Sequence, residues 1–195
     1  MNLSCSKLAG SNSATEKADN EFYSTNPKAL EMLLDTYKFT GNTFLEPCVG
    51  DGNLAKVIKQ RYGKEMDCID IVDRGYPNTI VADFLTYITD KKYDAIITNP
   101  PFSLAQSFVE KGLSLLNKNG QMAMFLKIQF LESAKRKKFL NTYPPKCIYA
   151  FSDRMATWKN GEKLDPKGNK WQTTFFHAWF IWENGSITEP VVRLL

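Results

Sequence analysis

Clustered metal ligands are missing from this sequence. It has a single histidine, His177, and its four cysteines, Cys5, Cys48, Cys68 and Cys147, form no Cys-x-x-Cys pair. A structural zinc site needs about four nitrogen or sulfur ligands at close spacing, so the sequence predicts no metal centre. Scattered cysteines are typical of reduced thiols that pack as small apolar groups in a cytosolic protein.

Long hydrophobic runs are also missing. No apolar stretch approaches the roughly 20 residues that a helix needs to cross a bilayer, and the N-terminus lacks the apolar core of a signal peptide. We therefore expect a cytoplasmic protein that is neither secreted nor inserted in a membrane. The hydrophobic content of 43% and the charged content of 24% are those of an ordinary globular domain.

Positive charge is concentrated in one part of the chain. Between residues 133 and 170 there are ten lysines or arginines and three acidic residues, so this stretch carries about +7 and the remainder about −3. A concentrated basic segment favours a polyanionic partner such as nucleic acid. A solvated, lysine-rich helix and loop would give the same pattern, and charge alone does not separate the two.

Apolar strand-like runs alternate with helical patterns through most of the chain. The predicted strands are residues 43–49, 66–72, 79–84, 93–98, 121–128, 147–151 and 173–182. Asn26 is a predicted N-cap with Pro27 at the first helical position, and Gly41 is predicted to end that helix. Further helices are predicted at residues 53–62, 104–116 and 133–141. The alternation predicts an α/β fold with a mainly parallel seven-stranded sheet, helices on both faces, and an antiparallel last strand.

One domain is sufficient to account for these patterns. Residues 1–19 are rich in Ser, Asn, Ala and Lys and are predicted to be a disordered tail. Residues 20–195 are expected to form a single catalytic domain, in which residues 152–172 are a long basic loop.

A glycine turn joins the first predicted strand to its helix, with the sequence Glu46-Pro47-Cys48-Val49-Gly50-Asp51-Gly52. Its two glycines permit positive φ and a close approach of backbone to ligand, and ligands of open α/β sheets bind at the carboxyl ends of strands. The turn lacks the Gly-Lys-Ser/Thr of a P-loop, and Glu46 and Asp51 would repel a pyrophosphate. S-adenosylmethionine, which has a positive centre and an amino group, matches better. A purely structural Gly-x-Gly turn is the alternative.

Acidic residues follow the next two predicted strands. Asp70 lies about 20 residues after the glycine turn, the spacing at which an acid accepts the ribose hydroxyls of a bound nucleoside. Asp73 is a second candidate for that role, and either acid can instead cap a turn before Gly75. Asp83 is placed to accept an adenine amino group, with Phe84 packed against the adenine ring.

The fourth predicted strand runs directly into Asn99-Pro100-Pro101-Phe102. Two consecutive prolines fix φ and bar a helix before them, which gives a rigid, extended turn. An exocyclic amino group is a poor nucleophile because its lone pair is delocalised into the ring. The Asn99 side-chain oxygen and the Pro100 carbonyl are candidate acceptors for its two hydrogens, and Phe102 is a candidate stacking platform. Such positioning allows direct in-line transfer without a covalent enzyme intermediate, although a plain Pro-Pro turn is the alternative.

Together these motifs resemble those of the N6-adenine DNA methyltransferases, particularly the small single-domain kind encoded by phages and prophages. The matching segments are residues 46–52, 82–84 and 99–102, with residues 19–25 similar to the family's N-terminal cofactor motif and residues 127–132 and 178–182 similar to the phage group. The resemblance covers about residues 19–184. It implies a Rossmann-like class I methyltransferase fold, S-adenosylmethionine as cofactor, a flipped-out adenine of DNA as substrate, and the cytoplasm of a bacterial or phage-infected cell.

The resemblance also implies which residues form the site. The catalytic residues would be Asn99, Pro100, Pro101 and Phe102. The cofactor would be bound by Phe22, Tyr23, Thr25, Glu46, Pro47, Cys48, Gly50, Gly52, Asn53, Leu54, Asp70, Ile71, Asp83, Phe84 and Asn99.

The sequence departs from the family in having no room for a separate target-recognition region. Residues 152–172 are the only candidate, because mixed basic and aromatic side chains can bind phosphates and stack on bases. The predicted substrate-binding residues are Phe102, Arg136, Arg154, Trp158, Lys159, Lys170 and Trp171. A disordered surface loop is the alternative, and a homodimer or a partner protein is the expected means of holding a duplex.

Other activities share the same motifs. Methylation of an RNA base would use the same catalytic loop and basic surface, and methylation of a protein glutamine poses the same chemical problem at an amide nitrogen. A non-catalytic module that keeps the fold and the cofactor is a further alternative. His177 is predicted to be a strand residue and not a catalytic base.

Overall fold

The computed structural model describes residues 22–186 and 188–195. The predicted tail and residues 19–21 of the N-terminal motif lie outside the described residues. The strands are β1 (Tyr23–Ser24), β2 (Phe44–Glu46), β3 (Met66–Asp70), β4 (Thr79–Val81), β5 (Tyr93–Thr98), β6 (Leu116–Lys127), β7 (Cys147–Ala150), β8 (Trp158–Lys159), β9 (His177–Glu183) and β10 (Val191–Leu194). The α-helices are α1 (Pro27–Thr36), α2 (Asn53–Tyr62), α3 (Ala105–Leu115) and α4 (Ala134–Thr142), and short 3-10 helices lie at Phe102–Leu104 and Ile128–Leu131.

Eight strands form the central sheet, in the order β10-β7-β9-β6-β5-β2-β3-β4. All neighbouring strands are parallel except β9, which runs antiparallel to both β6 and β7. The predicted α/β fold with a mainly parallel sheet is confirmed, and so is the antiparallel direction of the run that forms β9.

The predicted count of seven strands was wrong by one, and the antiparallel strand is not the last. β10 follows it and pairs in parallel with β7 at the edge of the sheet. Its four residues are all exposed, with Val192 at 63% and Leu194 at 74%. A short, exposed strand shows no alternation of apolar and polar side chains, so the sequence pattern did not distinguish it from an irregular C-terminal segment.

The sheet is covered on both faces, as predicted. In β5, Ala95 and Ile97 belong to a core shared with α1 and α2, whereas Ile96 belongs to a second core shared with α3 and α4. This division follows from the strand geometry, since successive side chains point to opposite faces of the sheet. Both faces of β5 are therefore buried in the core, and the strand is a rigid base for the loop that follows it.

The first helix begins as predicted and ends earlier. The Asn26 side chain accepts a hydrogen bond from the Lys28 N–H, and Pro27 is the first helical residue. The helix ends at Thr36 and not at Gly41, which lies in the next turn with φ of +86°. α2 has the predicted bounds and ends at Gly63 in the left-handed conformation.

A second sheet of two strands joins the N-terminal segment to the predicted basic loop. β1 and β8 pair antiparallel, with Tyr23 opposite Lys159 and Ser24 opposite Trp158. Further along the loop, Leu164 and Lys170 form an isolated antiparallel bridge. Residues 152–172 are thus folded against the domain. Among the described residues, no helix is long and apolar enough to span a membrane.

Candidate active site

Most of the predicted site residues lie at one edge of the sheet. The parallel strands β2, β3 and β5 all end at this edge, because neighbouring parallel strands place their carboxyl ends together. The turn from Pro47 to Gly52 follows β2, Ile71 follows β3, and Asn99 follows β5. The fold therefore brings together residues that are up to about 50 positions apart in the chain.

The glycine turn is tightly packed under two aromatic rings. Gly50 has φ of +55° and Gly52 has φ of +78°, a conformation that other residues rarely adopt. A Cβ on Gly50 would lie 2.3 Å from Cε2 of Phe22, and one on Gly52 would lie 1.9 Å from Cδ2 of Tyr76. Both glycines are therefore required by the conformation and by the close approach of other groups.

Glu46, the last residue of β2, is the most unusual charged group of the site. Its carboxyl is 1% exposed, and Oε2 has no hydrogen-bond partner among the described residues. Burial raises its pKa well above the ordinary value, and the charges of Asp51 and Asp70 raise it further, while a hydrogen bond from the Ala55 N–H acts in the opposite direction. A buried acceptor without a donor is costly, so this position favours a ligand that brings a cationic N–H group.

Asp70 fixes the backbone around the glycine turn. Its Oδ2 accepts the Gly50 N–H at 2.8 Å, and its Oδ1 accepts the Val72 N–H at 3.0 Å. One carboxylate therefore connects the ends of β2 and β3. The neighbouring Ile71 side chain is 63% exposed and faces solvent.

The other predicted acids serve as local caps. Asp73 accepts the Gly75 N–H at 2.8 Å, which is the turn-capping alternative recognised in the sequence. Asp83 is exposed and accepts the Leu85 N–H at 2.9 Å. Phe84, predicted to pack on an adenine ring, is 2% exposed, and its ring centroid lies 5.1 Å from that of Phe108. Phe84 is part of the core behind the site, since an apolar ring is buried most favourably among other apolar side chains.

The N-terminal segment packs onto both the glycine turn and the catalytic loop. The Asn53 side chain donates to the Ser24 hydroxyl at 2.8 Å and to the Thr25 carbonyl at 3.2 Å. The Ser24 hydroxyl in turn donates to Asp51 at 2.7 Å. Leu54, also predicted at the cofactor site, places its side chain in the core. The network shows how residues just before α1 are held at the edge of the sheet.

Asn99 is oriented by this segment. Its Nδ2 donates to the Thr25 hydroxyl at 2.9 Å and approaches the Tyr23 carbonyl at 3.4 Å. Among the described residues, none donates to its Oδ1. The amide is thus held in one orientation, with its nitrogen toward β1 and its oxygen available to an incoming N–H group.

Phe102 lies at the rim of the site, half-buried, at the start of a 3-10 turn. Its ring centroid is 5.9 Å from that of His177, and the Lys127 ammonium lies 4.8 Å from it. A cation therefore lies over one face of the Phe102 ring. Arg136 lines the same small cavity of about 100 Å³ as Phe102 and Lys127.

The titratable groups behind the loop are neutral. The pKa of His177 is lowered to about 4, mainly by burial and to a smaller extent by the Lys127 charge, while a hydrogen bond between Nδ1 and the Met155 carbonyl offsets part of the shift. Burial also raises the pKa of the Cys48 thiol, with Asp70 and Glu46 as additional causes. A buried neutral imidazole and a protonated thiol are poor catalytic groups, so the site depends on positioning by amides, carbonyls and rings. No group of His, Cys, Asp and Glu in the described part of the chain could hold a metal ion.

The predicted substrate-binding residues fall into two groups. Arg136 lies beside Phe102, as described above. The others are brought to the β8 side of the N-terminal segment, where Arg154, Trp158, Lys170 and Trp171 line a larger cavity and Lys159 pairs with Tyr23.

Sequence reasoning missed Tyr76 and the contact between Thr25 and Asn99. Tyr76 covers Gly52 and has the Lys56 ammonium 5.8 Å from its ring centroid. An aromatic residue just after the turn at Gly75 was the only signal for it. Thr25 was assigned to the cofactor motif, and no local pattern connected it with a residue that lies 74 positions away.

Comparison with solved structures identifies the fold. A protein from Listeria monocytogenes assigned to the class I S-adenosylmethionine-dependent methyltransferases gives a TM-score of 0.57 at 16% identity, over 87% of this chain and 62% of that one. A methyltransferase from Pyrococcus furiosus gives a TM-score of 0.56 at 17% identity, over 83% and 84% of the two chains. A protein from Vibrio vulnificus assigned as the modification subunit of a type I restriction enzyme gives 0.56 at 13% identity, over 91% of this chain and 48% of that one.

This chain therefore spans less than two thirds of the Listeria protein and about half of the Vibrio protein. No protein-family model and no curated protein sequence matches it. Identities of 13–17% carry information on the fold alone, and that fold is the Rossmann-like fold of the class I methyltransferases.

Proposed function

We propose that the protein transfers a methyl group from S-adenosylmethionine to the exocyclic N6 amino group of adenine in DNA. One observation carries the proposal: the amide of Asn99 is held through its nitrogen, so that Oδ1 is presented at the carboxyl edge of the sheet. An oxygen acceptor fixed at this point is what an amino-nitrogen substrate requires, because it binds one N–H and orients the lone pair.

The residues of the glycine turn fit S-adenosylmethionine. The buried Oε2 of Glu46 lacks a donor, and the cationic amino group of the cofactor's methionine part would supply one. Gly50 and Gly52 let the rings of Phe22 and Tyr76 pack directly on the backbone of the turn. In this proposal Phe22 and Tyr76 contact the ligand from above the turn, while Asp70, Ile71 and Asp83 face its nucleoside part.

The chain's own groups hold the adenine for direct transfer. S-adenosylmethionine supplies an electrophilic methyl group when it is bound. The Asn99 Oδ1 and the Pro100 carbonyl accept the two N6 hydrogens, which withdraws the N6 lone pair from conjugation with the ring. With the cofactor held at the glycine turn, its methyl group would be transferred to N6 with loss of the carbon–sulfur bond, and the proton lost from N6 would pass to water. The Phe102 ring stacks on the base and holds it in line.

No general base is needed for this reaction, and among the described residues neither the buried His177 nor the Cys48 thiol is suited to be one. An aminopurine that has accepted a methyl group is strongly acidic, so water is a sufficient proton acceptor. His177 stands behind Phe102 with its Nδ1 bonded to the Met155 carbonyl, and its low pKa keeps it neutral. Its role in the proposal is to support the Phe102 ring.

Two observations support DNA as the substrate. Lys127 and Arg136 lie at the cavity beside Phe102, where a phosphate next to the flipped base would pass. The Vibrio protein with a similar fold is assigned as a restriction-modification subunit, which is compatible with DNA.

The proposal is tested by incubating the protein with labelled S-adenosylmethionine and unmethylated duplex DNA, single-stranded DNA, total RNA or a protein extract. Mass spectrometry of the digested nucleosides is expected to show N6-methyladenine in DNA. Label in RNA alone or in protein glutamine alone would overturn the choice of substrate. Asn99→Ala is expected to abolish transfer and to keep cofactor affinity nearly intact, and full activity in that variant would contradict the mechanism.

A further inference from the structure

A cavity of about 590 Å³ lies between Asn26 and the basic loop that contains β8. Its lining includes Asn26, Arg154, Trp158, Lys163, Lys170 and Trp171. None of the residues that line it belongs to the glycine turn or to the loop from Asn99 to Phe102. It is therefore separate from the sites proposed for the cofactor and for the target adenine.

The lining has the chemistry of a nucleotide site. Three of its side chains are cationic and none is acidic, and two are indoles. Lys163 lies 5.6 Å from the ring of Trp158, so a cation and an aromatic face occur side by side. Phosphates are bound by lysine and arginine, and bases stack on aromatic rings whatever their identity. The volume lies within the range of about 300–1,000 Å³ that is usual for pockets binding small ligands.

The walls of this cavity are held by hydrogen bonds. The Trp171 Nε1 donates to the Glu162 carbonyl at 2.6 Å. Asp165 closes the turn between them, since its Oδ1 accepts the N–H groups of Lys167 and Asn169 at 2.8 Å each. The Arg154 guanidinium donates through Nη1 to the Thr173 carbonyl at 2.8 Å. A ligand would thus meet side chains that are already in place, which lowers the entropic cost of binding.

The cavity is connected to the catalytic loop through β1. Trp158 is paired with Ser24 in the small sheet, and Asn26 directly follows Thr25, whose hydroxyl binds Asn99. One short segment therefore contains both a residue that lines the cavity and a residue that binds the catalytic amide. A strand that places its adenine at Asn99 would continue past this segment toward the indoles.

We infer that this cavity binds a second nucleotide of the substrate DNA strand, different from the target adenine. The cavity would bind the phosphate of this nucleotide and stack on its base, whatever the base is. The inference rests on the proposed function for its choice of DNA. The geometry of the cavity supports a nucleotide independently of whether the adenine is methylated.

The test uses a fluorescently labelled oligodeoxyuridylate of eight nucleotides, which contains no adenine, and the matched oligouridylate. We expect the full chain to bind the deoxy probe, as measured by fluorescence anisotropy. Trp171→Ala and Lys170→Gln should each weaken this binding about ten-fold, and Trp171→Phe, which keeps a stacking ring, should weaken it by about three-fold or less. Lys118→Gln is the matched control, because Lys118 is exposed at the start of β6, the opposite edge of the sheet, and it should leave the affinity unchanged.

Equal losses in Lys170→Gln and Lys118→Gln would show general electrostatic attraction and would overturn the inference, as would unchanged binding in Trp171→Ala. Tighter binding of oligouridylate than of the deoxy probe would overturn the assignment to DNA. Thermal melting of each variant shows whether the loop is still folded, and Lys170→Gln keeps the test valid if Trp171→Ala unfolds. The probe could bind in a way that depends on Trp171 while adenine-containing DNA is not methylated. That result would contradict the proposed function and would still support the nucleotide pocket.

Discussion

The side-chain nitrogen of Asn99 donates a hydrogen bond to the hydroxyl of Thr25 at 2.9 Å. Thr25 is 5% exposed, so neither group exchanges this bond freely for one with water. The Tyr23 carbonyl, which can only accept, also lies 3.4 Å from the Asn99 Nδ2, so the two contacts together select the amide orientation in which Oδ1 can accept a substrate N–H. Thr25 is therefore a positioning residue in the proposed reaction.

Replacing Thr25 with Val tests this role. Valine keeps the shape and removes the shorter of the two contacts to the Asn99 Nδ2, so the amide is held in its orientation only by the longer contact to the Tyr23 carbonyl. We expect kcat to fall about ten-fold or more, with little change in the affinity for S-adenosylmethionine measured by calorimetry. Thr25→Ser should restore most of the activity because it keeps the hydroxyl. A loss of cofactor affinity that matches the loss of kcat would instead make Thr25 a cofactor ligand, as the sequence motif suggested.

Glu46 is expected to bind the cofactor at a cost to stability. Burial raises the pKa of Glu46 in the folded protein. Above the ordinary pKa of 4.5 the unfolded chain therefore loses this proton more readily than the folded protein does, and the free energy of unfolding falls as the pH rises toward the folded-state pKa. Glu46→Gln removes the charge and keeps the shape. At pH 7 without cofactor we expect this variant to be more stable by about 1 kcal/mol or more, seen as a rise in Tm of about 2–4 °C.

The same variant should bind S-adenosylmethionine at least about ten-fold more weakly, because a neutral amide attracts an ammonium group less than a carboxylate does. Opposite changes in Tm and affinity are the signature of a functional buried charge. A variant that is destabilised and also binds the cofactor normally would assign Glu46 a purely structural role. Glu31→Gln, at an exposed carboxyl on α1, is the control and should change neither quantity.

Gly50 carries two separate restrictions, which a double-mutant cycle can separate. Gly50→Ala must accommodate a φ of +55° and a Cβ placed 2.3 Å from the Phe22 ring. We expect a loss of about 1–2 kcal/mol from the backbone conformation and a further loss from the steric clash. Phe22→Ala in the Gly50→Ala background should recover only the second part, as measured by urea unfolding. Full additivity of the two single changes would show that Phe22 does not cover Gly50 in solution.

The parts of the fold that were predictable from sequence are those with local signals. α2 follows a glycine in the left-handed conformation and ends at another, Gly63, so both of its ends were visible in the chain. β5 was equally clear, because a run of apolar residues ends at Asn99-Pro100-Pro101 and a strand cannot continue through two prolines.

The parts that were missed depend on contacts between distant residues. β8 has two residues and exists only because β1 pairs with it, and two residues show no periodicity. The position of Tyr76 over Gly52 depends on how the turn after β3 folds back on the sheet. The motif predicted that Phe84 contacts the ligand. In the structure its ring packs against Phe108 of α3, a contact that the sequence around Phe84 does not show. Sequence patterns show which side chains a site needs, and tertiary packing decides which of them are accessible.

The buried imidazole of His177 makes stability depend on pH. Its pKa in the folded protein is lowered from 6.5 to about 4 by burial and by the Lys127 charge. Between these values the unfolded chain binds a proton that the folded protein does not, so the free energy of unfolding falls as the pH falls through this window. The contribution is fully present above pH 6.5. We expect a loss of about 2 kcal/mol from this residue between pH 7 and pH 5.

His177→Phe is the variant that isolates the effect. A phenyl ring keeps the stacking on Phe125, which has a centroid distance of 4.8 Å, and loses the hydrogen bond to the Met155 carbonyl. That hydrogen-bond loss is the same at every pH, because phenylalanine does not titrate. Urea unfolding of both proteins at pH 7, 6 and 5 should therefore show a smaller decrease in unfolding free energy for the variant, by about 2 kcal/mol over the whole range. Parallel decreases would mean that His177 is protonated in the folded protein at pH 5, and its proposed role as a neutral support for Phe102 would have to be abandoned.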